Sequence, residues 1–459
     1  MEERAQENKM GVMPVKKLLI NMSLPMMISM FVQAMYNIVD SIFVARISEN
    51  ALTAVSLAFP MQTIMFAVAA GTGVGVNALV SRALGAKEYD HANRIAVNGL
   101  FIYLLSYLLM LVLGLTVVRP FFSMQTSAGQ KEIMELGVTY LTICMTMSFG
   151  VYGQFIFERL LQSTGRTVRT MLTQGIGAVI NIILDPIFIF GLKMGIAGAA
   201  IATVTGQIAA AILAFLFNHL KNKEIRLRLR GFRPDGKIIG TIYKIAVPSI
   251  FMQAIGSVMT AGMNLILMGL SSTAAAVFGV YYKLQSFFFM PVIGLNNGMI
   301  PIISYNYGAG RKDRMLETLR FSYFIAFVFC MIGLICFEVI PGPLFRLFDA
   351  SDEMIAIGTH ALRIIAITFL LMWYCVITGS FFQALGKALY SLYVSAARQL
   401  IALLPAAYIL AIIGGLNLIW WSFPIAELMS VAITLICRKR VFTEIVDKIQ
   451  PREELPEKA

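Results

Sequence analysis

Only three histidines occur in this chain, His91, His219 and His360, and no two have the spacing of a zinc site. The five cysteines, Cys144, Cys330, Cys336, Cys375 and Cys437, lie singly in apolar sequence. An odd count without ligand spacing points to packing residues rather than a disulfide framework or a metal site. The glycine-rich stretch GTGVG at 71–75 is neither a dinucleotide fingerprint nor a P-loop, and it lies inside an apolar run. With no catalytic set and no nucleotide site, an enzyme is not expected, and no cofactor is expected. Charge is also scarce. Only 14% of the 459 residues are charged, 58% are hydrophobic, and the mean hydropathy is +0.77. A soluble protein could not hide that much apolar surface, so the class is a polytopic membrane protein.

What fills the chain is long sequence without charge: residues 50–81, 95–118, 136–157, 284–310 and 321–337. Roughly 20 apolar residues span a bilayer as a helix. These runs lack the ten-residue alternation of barrel strands. Twelve spans are predicted, at 18–45, 51–81, 95–118, 136–158, 170–191, 195–218, 245–270, 273–304, 321–345, 359–384, 390–413 and 417–437. The start, MEERAQENKMGVMPVKK, is polar, and the apolar segment after it is too long for a leader; no cleavable signal is expected.

Twelve spans put both termini on one side. Of the 37 Lys and Arg, all but Arg46, Arg119, Lys131, Lys193, Lys283, Arg346 and Arg363 are assigned to that side, which the positive-inside rule makes cytoplasmic. Topology thus accounts for the net charge of +12. Nucleic-acid binding accounts for it less well, because the basic residues are spread over many loops. The polar run HLKNKEIRLRLRGFRPDGK at 219–237 divides the spans six and six and is suited to a cytoplasmic linker, with anionic lipid headgroups as a further contact.

The two halves match directly. SLPMMISMFVQAMYN at 23–37 resembles AVPSIFMQAIGSVMT at 246–260, with Pro25 over Pro248. Ser81, Gly85 and Ala86 fall over Ser304, Gly308 and Ala309, and Gly71 and Gly75 over Gly294 and Gly298, each pair offset by 223. Gln162 and Gly165 fall over Gln383 and Gly386, offset by 221. Six spans per copy is an even number, so the copies share one orientation, related by an axis along the membrane normal. The expected architecture is all-α: an N-terminal lobe at 1–218, a linker at 219–244, a C-terminal lobe at 245–437 and a tail at 438–459. A cleft between two lobes suits alternating access, which a channel or a membrane enzyme does not need.

Three acids lie well inside spans: Asp40, Asp185 and Glu427. An ionised side chain at the bilayer centre costs at least about 2.5–3.5 kcal/mol. Asn181 precedes Asp185 by four residues, on one helical face. Pro186 has no N–H, so the carbonyl of Ile182 loses its helical partner. A carboxylate, an amide oxygen and a freed carbonyl suit a small hard cation such as Na⁺; Asp185 equally suits a proton. Asp40 has Tyr36 and Asn37 on its own face. The repeat places Met263 and Ala406 opposite Asp40 and Asp185, so these acids belong to the N-terminal half alone. The competing reading makes them helix-packing residues joined by hydrogen bonds. Glu427 has only Ser430 as a polar neighbour on its helical face, and its functional and packing readings stay open. Lys283 is expected to face the cleft, with Glu427, Asn37 and Gln33 as further cleft candidates; snorkelling to an interface is the alternative for Lys283. Pro25, Pro186 and Pro248 are expected to mark kinks. The 28 Met and 32 Phe are mostly packing, with some available to line an adaptable apolar cavity.

Several of these stretches resemble the multidrug and toxic compound extrusion (MATE) transporters over essentially the whole chain, nearest the MepA-type bacterial branch. They are SLPMMISMFVQAMYNIVDSIFVARI in the first span, SRALGAKEYDHA after the second, LQSTGRTVRTM after the fourth, NIILDPIFIFG in the fifth and GIAGAAIAT in the sixth. The resemblance implies a V-shaped, two-lobed bundle in the bacterial inner membrane. It implies export of amphipathic, often cationic drugs and dyes by a functional monomer in exchange for Na⁺ or H⁺. It also implies a cation site at Asp40, Asn181, Asp185 and Thr203, with Tyr36 and Tyr140 nearby. Some members carry acids in spans 7 and 10; here VPSIFMQAIGSVM and TFLLMWYCVITGSFFQ have none, which counts against a carboxylate mechanism there. The alternative in the wider superfamily, a flippase for lipid-linked oligosaccharides, calls for a strongly cationic cavity, and intramembrane Lys and Arg are nearly absent.

Overall fold

The computed structural model describes residues 8–126, 129–227, 231–348 and 350–450. The tails and linker assigned above to one side fall partly outside these residues.

Among the described residues nine helical stretches are long and apolar enough to cross a membrane, and two bent helix pairs bring the number to eleven. The last stretch, Ala388–Lys448, divides at Gly415, whose φ of 57° no helix tolerates, so twelve spans result. Spans 1 to 3 are Val15–Ala45, Glu49–Gly85 and Tyr89–Thr116. Span 4 joins Lys131–Thr146 to Phe149–Ser163; span 5 is Thr167–Pro186 with a wider π-helical turn, Ile187–Gly191; span 6 is Gly195–Lys221. Spans 7 to 9 are Gly236–Met268, Ser272–Gly308 and Lys312–Val339. Span 10 joins Asp352–Ala366 to Phe369–Ala384. Span 11 runs Ala388–Ala396, a π-helical segment Ala397–Leu403, and Leu404–Leu418; span 12 is Ser422–Glu444.

The structure repeats its chemistry as well as its sequence. Ser48 caps span 2 and Ser271 caps span 8, each accepting from backbone N–H groups of the first turn. Gly165 and Gly386 turn the chain between spans 4 and 5 and between spans 10 and 11, with φ of 78° and 79°. The hydroxyl of Ser81 donates to the carbonyl of Ser163, and that of Ser304 to the carbonyl of Ala384. Spans 4 and 10 bend by 42° and 55° at matched places, Met147–Ser148 and Ile367–Thr368. No proline marks either bend. The backbone stays helical through Pro25 and Pro248, and Pro186 closes the regular part of span 5 before its π turn.

The lobes meet through these repeated glycines. A Cβ on Gly71 would meet Ile250, and one on Gly294 would meet Met27. Gly75 faces Ile242 and Ala246, and Gly298 faces Ser23. A Cβ on Gly85 would overlap the carbonyl of Tyr305, and one on Gly308 the carbonyl of Arg82. These contacts map onto one another under the 223-residue offset, which places the pseudo-two-fold axis in this seam. All of them lie in the half of the bundle nearest the termini. There a single core runs through both lobes, including Leu18, Val80, Ile242 and Ile302. In the other half the C-terminal lobe has a core of its own, built from residues such as Met263, Phe337, Phe369 and Trp420. The lobes therefore join at the termini end and part beyond it.

A short turn, Lys9–Val12, crosses beneath the seam. Asn8 donates to Glu224 at 2.7 Å on the N-terminal side. The carbonyls of Met10, Gly11 and Met13 accept from Asn306, Arg311 and Arg314 of the C-terminal lobe. Burial pushes the Lys9 amine down to about 8, and Arg166 adds to the shift.

Candidate functional site

The N-terminal lobe gathers polar side chains from five spans. Span 1 supplies Tyr36 and Asp40, span 2 Gln62, span 4 Tyr140 and Cys144, span 5 Asn181 and Asp185, and span 6 Thr203. Most come in pairs four residues apart, one turn of helix on one face. Spans 5 and 6 approach closely because Gly177 and Gly206 face each other's carbonyls, where a side chain would collide. That approach lets the Asn181 amide donate to Thr203 Oγ1 at 3.3 Å and to Asp185 Oδ1 at 3.4 Å. The Gln62 amide donates to the Tyr140 hydroxyl at 3.4 Å. Asp40 lies within electrostatic range of Asp185, Tyr36, Tyr140 and Cys144. The six residues expected at a cation site are thus brought into one cluster.

The cluster holds two acids and no basic side chain, and its hydroxyl, thiol and amide donors leave three acceptor oxygens unmet. Asp185 is fully buried, and among the described residues its Oδ2 has no partner. Asp40 Oδ1 and Asn181 Oδ1 have none either. Three buried acceptor oxygens without donors would each be costly in a dry interior. A proton on a carboxyl, or a small cation held by oxygens, supplies what they lack. Among the described residues no group of three or more His, Cys, Asp or Glu is placed to hold a metal.

A second buried acid on the same lobe is different in kind. Glu158 accepts from Gln154, Thr173 and Gln174 at 2.9, 2.9 and 2.7 Å, which satisfies both its oxygens. It ties span 4 to span 5. Its neighbour Arg159 is buried and reaches across the seam to Asn297 at 3.2 Å, over Gly73, which leaves it room. The charge count above assigned Arg159 to a loop; the structure puts it inside span 4.

The remaining candidates are dispersed. Glu427 is buried in the C-terminal lobe, 3.4 Å from the guanidinium of Arg398. Arg398, counted above with the cytoplasmic basic residues although it falls within predicted span 390–413, lies in the π-helical part of span 11. Lys283 is exposed, with its ammonium 5.9 Å from the Phe348 ring centroid, in the connection between spans 9 and 10. On span 1, Asn37 is exposed and Gln33 half-buried. The sequence carried no signal pairing Arg398 with Glu427, because residues 29 apart on different helices meet only through tertiary packing.

Comparison with known proteins fits this geometry. The MatE family model matches residues 25–187 and again residues 248–409, so the two matches start at the aligned prolines of the repeat. Multidrug export protein MepA of Staphylococcus aureus (strain MRSA252) is 26% identical over 448 residues, 95% of this chain and 97% of that protein. A solved outward-facing multidrug resistance MATE family transporter of the MOP superfamily has the same fold, with a TM-score of 0.90, 24% identity and coverage of 97% of this chain and all of that one. So does a MOP superfamily transporter from Pyrococcus furiosus described as having a binding pocket of reverse polarity that suggests a different function; its TM-score is 0.90 at 25% identity, covering 97% of this chain and all of that one. With its two matched halves, its twelve spans and its pseudo-two-fold seam, the chain belongs to the MatE family.

Proposed function

We propose that this protein is a secondary active multidrug exporter, moving amphipathic, often cationic compounds outward in exchange for H⁺ or Na⁺. Export is the activity for which its S. aureus relative is named. The observation that carries coupling is the set of unpartnered buried oxygens on Asp40, Asn181 and Asp185. A site that carries two unpaired buried acids when empty and one negative charge fewer when filled gives the two states different energies, which is what coupling requires. The basic residues put the termini end in the cytoplasm. The lobes, joined at that end and parted at the other, then form an outward-facing state of an alternating-access cycle. A single chain supplies both lobes and the whole cation cluster, so a monomer suffices.

Dye efflux from proteoliposomes under separately imposed Na⁺ and proton gradients tests this. One gradient is expected to drive efflux well above the undriven leak; if neither does, ion coupling is wrong. Orientation is tested by labelling intact cells with an impermeant thiol reagent. Lys193→Cys, exposed between spans 5 and 6, is expected to react, and Lys237→Cys, exposed at the start of span 7, to react only after permeabilisation. The reverse pattern would invert the topology. The flippase reading is less well supported, because Arg398 already faces Glu427 and the N-terminal cluster holds two acids and no base.

A further inference from the structure

We infer that the C-terminal lobe holds a binding site for a lipophilic aromatic cation, with Glu427 as its counter-charge and Arg398 as the internal cation that it displaces. This rests on the export reading above and assigns it a ligand site. A cavity of about 390 Å³ lies among spans 7, 8, 10, 11 and 12. Its apolar wall is aromatic and methionine-rich, including Tyr281, Phe289, Phe423, Met259 and Met372. Aromatic faces attract cations, and Met side chains repack around ligands of varied shape. Glu427 is the single acid in this wall, and its side chain is almost wholly buried.

The ion pair in the wall is incomplete. Only one guanidinium nitrogen of Arg398 approaches, at 3.4 Å from Oε2, where a paired fork would sit below 3 Å. Oε1 has no N–H or O–H partner, and the nearby Cys375 thiol is a weak donor. Arg398 is partly exposed and sits on a π-helical segment, a local widening frequent at functional sites. A carboxylate half-satisfied by a partly exposed cation, at the edge of a cavity sized for a small molecule, is poised for exchange. When an aromatic cation enters, its charge takes the place of the guanidinium, and Arg398 swings into the open part of the cavity. The entering cation adds one positive charge, which Arg398 carries into the open, hydrated part of the cavity, so the buried carboxylate keeps one cationic partner throughout and no ion is left buried and unpaired. A neutral ligand of the same shape gains the aromatic contacts but cannot displace Arg398.

The test uses the full-length protein in detergent, without a gradient, so that binding is read separately from coupling. The probes are tetraphenylphosphonium, a lipophilic cation, and triphenylphosphine oxide, a neutral aromatic counterpart. Glu427→Gln is expected to weaken tetraphenylphosphonium on the order of tenfold and to leave the neutral probe unchanged. Arg398→Gln is expected to do the opposite, tightening the cation severalfold because the competitor is gone. A purely structural ion pair would weaken both probes in both variants, and that result would overturn the inference. Unchanged tetraphenylphosphonium affinity in Glu427→Gln would overturn it as well. An unpaired buried carboxylate destabilises a fold. If Arg398→Gln does not accumulate, the neutral pair Glu427→Gln with Arg398→Gln decides instead: loss of cation binding with the neutral probe retained supports the site, and wild-type cation binding sinks it. Gradient-driven efflux of dye by a protein that passes none of these arms would remove the site and leave the export reading standing. Absence of driven efflux, with the affinity pattern intact, would do the reverse.

Discussion

Asp185→Asn and Asp40→Asn are each expected to reduce gradient-driven dye efflux to the leak of protein-free vesicles, while the protein accumulates in the membrane at wild-type levels. Asparagine keeps the size of each side chain, and at 185 its amide oxygen still accepts from Asn181, whose bond to Thr203 joins spans 5 and 6. It removes the one property that ion binding changes, the charge. A ligand that does not distinguish two states shifts nothing, however tightly it binds. With one acid neutral throughout the cycle, the empty and occupied clusters differ too little to bias the lobes. Met263 and Ala406, at the matching places in the C-terminal lobe, provide the controls. Conservative changes such as Met263→Leu and Ala406→Ser are expected to keep at least half of the efflux, since Met263→Leu conserves volume in a packed interior at a cost below about 1.5 kcal/mol and Ala406 is only half-buried. Near-normal driven efflux in both Asn variants would leave the two acids as helix-packing groups.

Most of this fold was legible because membrane spans announce themselves by length and because the chain states its plan twice. The offset of 223 between Gly85 and Gly308 was visible before any contact was known, and those residues proved to face each other's lobes across the axis. The N-terminal cluster was legible for a related reason: an acid such as Asp185 inside apolar sequence is costly enough to demand an account. Legibility ended where the signal was tertiary. Arg159 follows predicted span 136–158 directly and Arg398 lies within predicted span 390–413, yet the charge count placed both with the cytoplasmic basic residues. Their burial follows from partners on other helices, Asn297 and Glu427. The bends in spans 4 and 10 carry no proline, and the sequence at Ser148 and Thr368 reads as continuous span. The π-helical segment around Arg398, by contrast, ends two residues before Pro405, whose missing N–H disturbs the preceding turn, a local signal that the span count passed over.

The glycine seam yields the other large effect. Gly85→Ala combined with Gly308→Ala is expected to open the termini end of the protein and to abolish most transport. At each position the added methyl would meet a backbone carbonyl of the opposite lobe, of Tyr305 or of Arg82. A side chain can rotate away from such a clash, whereas a carbonyl fixed in a helix can yield only if the whole lobe moves. Overpacking of this kind costs about 1–3 kcal/mol per site. Two such costs on one side of an equilibrium balanced within a few kcal/mol are enough to reverse it. Because the seam closes only the termini end, the penalty falls on the state described here and spares a state in which that end is open. Spin labels at Asp90→Cys and Asp313→Cys read this directly. Both positions are exposed, they are related by the repeat, and they flank the seam from opposite lobes. The label separation is expected to lengthen by several ångströms in the double alanine variant, while either single variant shifts only part of the population. An unchanged separation together with lost transport would mean that the glycines serve the packing of each lobe rather than its closure against the other.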